Sequence, residues 1–304
     1  MALTSRISLQ GPPTSEPEDF LSSSLGIIFP DDVTNQHGDA EHSLAYVSAH
    51  LPRPLHIALA DPDQENDRKL FSHYLWNASL LLAEFVEAGS LGLSLDVGRG
   101  QLQASDFDVA GLTCLELGAG TALPSIMAAL LGAAGVVVTD YPSETVLSTL
   151  RKNVTANAKL EHSPHHTLAP ITVDGHSWGE LITPFAAAHQ GSFDRMFVCD
   201  CLWMPWQHAN LHRSIAWFLK SKSDSSSARA WVVAGFHTGR AKMRGFFEPA
   251  ALAEAGLEVE RLWERDCDGV EREWAWDRGQ EDPSERKRWL VVGVLRRRAE
   301  GVEE

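Results

Sequence analysis

From residue 112 onward the chain alternates short, largely apolar runs with stretches of helical periodicity, and that alternation constrains its fold more than any other feature. Residues 112–117, 135–139, 168–173, 195–199 and 230–234 read as strands without the apolar–polar alternation of a half-solvated sheet. Such strands need cover on both faces, and helices supply it in a doubly wound, mostly parallel α/β sheet. Residues 124–131, 143–158, 208–219 and 249–255 carry the helical signal. Ser143 serves as an N-cap after Pro142, and Gly256 stops the last of these helices. Residues 257–263 and 289–295 add two strands, making seven, around a highly charged insert at 265–288.

At roughly 100–200 residues per domain, 304 residues allow one large domain or two modest ones. Residues 1–45 read as an irregular acidic arm with one apolar segment at 25–29, and 46–300 as a single domain. Within it, 51–59 (with Pro52 and Pro54) reads as an edge strand or extended link. A helix is predicted over 71–88, with Leu75, Leu81, Leu82, Phe85 and Val86 on one face and Gly89 as its stop. A loop at 98–106 then leads into a core expected over 108–300. Residues 117–139 lack any charge, but Pro124, Gly132 and Gly135 interrupt them and acidic Glu116 and Asp140 flank them. Two buried strands around a short helix explain that run better than a membrane span.

A net charge of −15 argues against nucleic acid as partner and toward basic ones. Cys114, Cys199, Cys201 and Cys267 form no Cys-x-x-Cys pair, so reduced thiols and a cytoplasmic (or nuclear) location are expected. The opening residues lack the apolar core of a secretory signal.

In such sheets ligands bind beyond the carboxyl ends of the strands, so polar residues there matter most. The first core strand runs into Glu116-Leu117-Gly118-Ala119-Gly120-Thr121-Ala122-Leu123-Pro124. Two glycines permit a sharp turn and a close ligand, but Leu123 stands where a dinucleotide fingerprint has its third glycine, and no Gly-Lys-Ser/Thr follows. That disfavours a dinucleotide dehydrogenase or a phosphate-gripping P-loop. Asp140, at the tip of the second strand, is placed to accept from both hydroxyls of a ribose. The implied ligand is a nucleoside with an amino-acid tail, the form of S-adenosylmethionine.

Glu116-Leu117-Gly118-Ala119-Gly120 with Leu123-Pro124, then Thr139-Asp140-Tyr141-Pro142, resembles the seven-β-strand methyltransferases, and within them the family-16 protein lysine methyltransferases. It is most similar to the fungal nicotinamide N-methyltransferase-like subgroup, which includes an elongation factor 1-alpha N-terminal and lysine methyltransferase. Leu75-Trp76-Asn77-Ala78, Trp178-Gly179, Asp200-Cys201-Leu202-Trp203 and the acidic Glu16-Pro17-Glu18-Asp19-Phe20 add to the resemblance. It implies a Rossmann-like seven-stranded sheet, mostly parallel with a C-terminal antiparallel strand. It also implies S-adenosyl-L-methionine as cofactor: Trp76 at its methionine end, Gly118, Ala119 and Gly120 in the loop braced by Glu116, Asp140 on the ribose, Trp178 on the adenine, and Cys199 through its backbone. Asp200 and Trp203 then face the methyl group and the acceptor. Two segments depart from the subgroup where the acceptor docks: His237-Thr238-Gly239-Arg240, and Met204-Pro205-Trp206-Gln207-His208.

An acceptor lysine is protonated at its ordinary pKa of ~10.4 and must lose that proton before it attacks. Trp203 and Trp206 form a candidate aromatic wall, Asp200 a steering carboxylate, and His208 or His237 a candidate proton acceptor. The acceptor expected is a basic protein's lysine or N-terminal α-amine, with a translation elongation factor in view. A small amine such as nicotinamide or a metabolite, and a cofactor-binding module without catalysis, are the alternatives. His162, His165 and His166 lack the partners of a metal site, and no metal is expected.

Overall fold

The computed structural model describes residues 2–11, 35–38, 42–60, 74–95, 103–221, 223, 225 and 227–298. The apolar segment at 25–29 and the acidic motif at 16–20 lie outside them. The principal sheet uses β6 (Thr113–Leu117), β7 (Gly135–Asp140), β8 (Ile171–Gly175), β9 (Arg195–Cys199), β10 (Arg229–Gly235), β11 (Leu257–Asp266), β12 (Glu271–Glu273) and β13 (Trp289–Arg297). Its spatial order is β12-β11-β13-β10-β9-β6-β7-β8. The five strands from β8 to β10 run parallel, and β13 is antiparallel to both β10 and β11. The seven expected strands are present in the expected sense. The eighth, β12, folds out of the charged insert and pairs with β11.

Helices α2 (Leu123–Leu130), α3 (Glu144–Asn157), α4 (Pro184–Ala188), α5 (His208–Phe218), α6 (Arg240–Met243), α7 (Pro249–Glu254) and α8 (Pro283–Lys287) follow α1 (Asn77–Leu91) in the chain. Every residue of β9 is buried, as a strand covered on both faces must be. α1 crosses β9 and β10, and Phe85, Phe107, Trp231 and Phe197 stack in series beneath it at centroid spacings of 4.5, 4.9 and 5.6 Å.

Two expectations need correction. The helix predicted over 71–88 begins at Asn77, because Leu75–Trp76 is a short strand, β5, paired with β2 (Gln36–His37). Gly89 does not stop it; the left-handed Gly92 does. Gly89 is glycine because a Cβ there would lie 2.4 Å from the Phe107 carbonyl carbon and 2.6 Å from the Ala104 oxygen. The expected irregular arm is likewise partly ordered. A 3₁₀ turn at Leu3–Arg6 leads into β1 (Ile7–Gln10), which pairs with β3 (Ser43–Tyr46), itself paired with β4 (Leu55–Ile57). Arg6 fastens this small sheet to α1 by donating to Glu87 at 2.7 Å and to the Tyr46 hydroxyl at 3.0 Å. The far edge of β4 is closed by two asparagines one turn apart on α3. The Asn157 side chain exchanges a pair of hydrogen bonds with the His56 backbone, and that of Asn153 a pair with Ala58. An edge that would otherwise recruit another strand is thereby satisfied by side chains.

The insert at 265–288 is a hairpin fastened by buried charge rather than a solvated loop. Glu264, fully buried, accepts from Arg240 at 2.6 Å, Arg272 at 2.7 Å and Arg278 at 3.2 Å. Arg240 also reaches Glu281 at 2.9 Å. Burial works against ionisation of Glu264, but Arg240 and Arg272 outweigh it and hold its pKa below the usual range. The stabilisation is therefore complete above the unfolded glutamate pKa and is lost as pH falls through the lower folded value. Glu264→Gln is expected to lower unfolding free energy at pH 7 by about 3 kcal/mol, since it leaves buried guanidinium groups short of charge. Acid titration followed by circular dichroism should then show less pH dependence in the variant, and superimposable profiles would refute the assignment.

Candidate active site

The tips of β6, β7 and β9 and the loop after β8 converge on a cavity of about 310 Å³. Beyond β6 the chain turns through Gly118 (φ +67°), Gly120 (φ +55°) and Ala122 (φ +63°) before entering α2 with Pro124 in its first turn. The Ala119 N–H donates to the Thr139 carbonyl at 3.0 Å and holds the loop against β7. A Cβ on Gly118 would lie 2.7 Å from Cys201 Sγ and 3.0 Å from the Trp178 ring, so this glycine lets two cavity walls close on each other. The same atom on Gly120 would meet nothing within 4 Å.

Asp140 faces this loop. One carboxylate oxygen accepts the Gly120 N–H at 2.8 Å and the other the Tyr141 N–H at 2.7 Å. Two ionised oxygens offer about four acceptor sites, so capacity for two hydroxyl donors remains. Burial raises the Asp140 pKa, and the two N–H donors pull it back. Glu116 lies behind the loop, fully buried, accepting from the Ser125 N–H at 3.2 Å at the start of α2. Burial pushes its pKa up to about 8. On the β8 side, Trp178 precedes Gly179, whose N–H donates to the Ser214 hydroxyl at 2.9 Å. That hydroxyl also meets His176 Nε2 at 3.0 Å, tying the loop to α5, and burial pushes His176 down to about 4.

Across the cavity, Asp200 follows β9 in a left-handed conformation (φ +55°) that acidic and amide side chains tolerate better than most. Its N–H bonds to the Val233 carbonyl at 2.8 Å, and its carboxylate accepts from the Gly235 N–H at 3.4 Å. His237 Nδ1 lies 3.6 Å from the same carboxylate, and its ring stacks on Trp76 at 4.6 Å between centroids. Burial raises the Asp200 pKa, while His237 and the Gly235 N–H act to lower it.

Trp76, Gly118, Gly120, Asp140, Trp178, Cys199, Asp200 and Trp203 thus line one cavity. Glu116 and Ala119 are buried behind that lining. His208 is not part of it. Its ring is buried, bonds the Leu202 carbonyl at 2.9 Å and meets Phe246 edge-on, so the structure gives it a packing role instead of a proton-accepting one. His237 is the histidine that reaches Asp200. Trp206 stands outside the lining, edge-on to Trp203 at 6.4 Å. Sequence reasoning missed Tyr74, Tyr141, His176, Gln207 and Asn210. Tyr141 adjoins Asp140 and Tyr74 lies two residues before Trp76, so adjacency to a motif was the available signal. Among the described residues the lining contains three carboxylates (Asp140, Glu180 and Asp200) and neither lysine nor arginine. A ribose at Asp140, an adenine against Trp178 and a sulfonium within an acidic lining fit these residues, which is the charge pattern of S-adenosylmethionine.

The profile of the family described as lysine methyltransferase matches residues 63–249. A protein from Gibberella zeae named protein N-terminal and lysine N-methyltransferase EFM7 is 31% identical over 230 residues, 71% of this chain and 75% of that one. A protein of the same name from Cryptococcus neoformans is 32% identical over 160 residues, 52% of this chain and 46% of the relative, so the match spans just under half of that protein. A solved structure provisionally described as a methyltransferase, in complex with SAH, has a TM-score of 0.52 and 13% identity. It covers 91% of this chain and 65% of that one, a likeness of fold.

Asp140→Ala should weaken S-adenosylhomocysteine binding about 10- to 100-fold by calorimetry, the loss of one charged hydrogen bond or more; unchanged affinity would move the ribose elsewhere. Glu116 gives a pH signature. With its folded pKa raised to about 8, the native state keeps a proton the unfolded chain releases, so stability declines as pH rises from the usual glutamate range toward 8. Glu116→Gln should flatten that decline in chemical denaturation, and a slope equal to the parent's would disprove the protonated carboxyl.

Proposed function

The chain belongs to the lysine methyltransferase family, and from that premise we propose that it methylates an amine of a basic protein, either a lysine or an N-terminal α-amine. It is an S-adenosylmethionine-dependent methyltransferase. What supports the protein acceptor is a cavity in which the Gly118–Gly120 loop and Asp140 stand opposite Asp200 and Trp203, with neither lysine nor arginine among the described residues of its lining. The names of the relatives point the same way.

When bound, the cofactor would supply an electrophilic methyl carbon on a sulfonium, open to an amine lone pair because the C–S electron pair can remain on the departing thioether sulfur. The chain must bring the amine in line, ~3–3.5 Å from that carbon, and strip it of water. Trp76, Trp203 and Tyr74 supply aromatic walls that desolvate the ammonium and so lower its pKa. Asp200, held by the Gly235 N–H with His237 3.6 Å away, aims the nitrogen by accepting a hydrogen bond from one of its N–H groups. His237, beside that carboxylate, is the group placed to take up the displaced proton or pass it on.

The reading is tested by incubating the purified chain with labelled S-adenosylmethionine and an extract that lacks its homologue. Label is expected in a protein band, with elongation factor 1-alpha the acceptor we propose first; label confined to the small-molecule fraction would replace that reading with a metabolite acceptor. Asp200→Asn, which keeps the left-handed tolerance, should lower turnover by about tenfold or more with S-adenosylhomocysteine affinity retained. Loss of that affinity instead would place Asp200 in the cofactor's grip.

A further inference from the structure

Trp206 is 71% exposed, an unusual position for the largest apolar side chain. Its exposure is built in rather than floppy. It sits in the 3₁₀ turn Pro205–Gln207, where the Gln207 N–H bonds the Met204 carbonyl at 2.9 Å and the Gln207 side chain accepts from Asn210 at 2.8 Å. Its ring meets Trp203 at 88°, so one tryptophan forms cavity wall while its neighbour projects outside along the same ledge. Met204, also in the lining, joins the two, and Pro205 is exposed beside them.

Resting on the protein-acceptor reading, we infer that the Trp203–Met204–Trp206 ledge is a docking surface for the acceptor's chain next to the methylated amine, and that Trp206 seats a lysine or arginine flanking that amine. The occupant is chosen by charge. Among the described residues the adjoining lining has three carboxylates and neither lysine nor arginine, the chain carries −15 overall, and an indole face attracts a cation more strongly than any other aromatic ring. Arg213 on α5 is directed at the Gly179 carbonyl at 3.0 Å and at Asn210. Trp203 and Trp206 accordingly divide the work. The inner ring acts on the reacting amine, the outer one on the segment that carries it.

The test uses the full chain and, as acceptor, the protein that takes label in the extract experiment, in its unmodified form. Trp206→Ala is expected to raise KM for that protein about 5- to 30-fold, with kcat and S-adenosylhomocysteine affinity within twofold of the parent. Trp206→Phe should recover most of the loss and Trp206→Leu little of it, because only the aromatic face attracts a cation. An unchanged KM, a loss confined to kcat, or equal rescue by Leu and Phe would each overturn the docking role. If no protein takes label, the protein-acceptor reading itself fails and this inference with it, an outcome separate from any result with Trp206.

Discussion

The structure depends on how a parallel sheet buried on both faces ends its strands. The backbone must reverse within two or three residues, and left-handed conformations permit that reversal. Gly118, Gly120 and Ala122 after β6, and Asp200 after β9, all have positive φ. Two of the four are not glycine, and each costs on the order of 1 kcal/mol or more. The surrounding bonds hold them there: Ala119 to Thr139, Asp140 to Gly120, Asp200 to Val233. The cavity is the space these tight turns leave between neighbouring tips, so its shape is fixed before any ligand arrives.

Charge explains the rest of the site. Asp140 and Asp200 are buried acids whose pKa burial raises, and each is restrained by neutral N–H donors; among the described groups, His237 adds an ionisable partner at Asp200. Carboxylates held this way keep acceptor capacity for a cation or a hydroxyl. Contrast Glu264, whose three arginines saturate it and turn it into a fastening. The same residue type serves binding where it is left short of cations and architecture where it is surrounded by them.

Much of this was legible in the sequence, and the reason is periodicity. Buried strands announce themselves by unbroken apolar runs, so the sequence bounds of β9 match to the residue, those of β6 and β7 differ by one at one end, and those of β10 by one at each end. Gly118, Gly120 and Asp140 were legible because turns and ribose recognition restrict residue type locally. What escaped depended on distance in the chain. The β1–β3–β4 sheet rests on Arg6 meeting Glu87, 81 residues away, and no local pattern reports such a pairing. Residues 71–88 read as one helix because Leu75 continues the helical spacing, although its partner His37 draws it into a strand. His208 and His237 were equal candidates in the sequence; only the packing of α5 against Phe246 and of Trp76 against His237 separates them.

The position of β13 has a consequence for how the molecule comes into being. This strand lies inside the sheet, between β10 and β11, although it is the last strand in the chain. Domains generally fold as units, so during synthesis the β6–β9 half, with its glycine turn, waits on residues that emerge later. The side that presents His237 cannot be completed until Trp289–Arg297 slots in beside β10. The nucleoside cradle and the wall opposite it therefore become a finished site together, once the last strand of the described residues is in place.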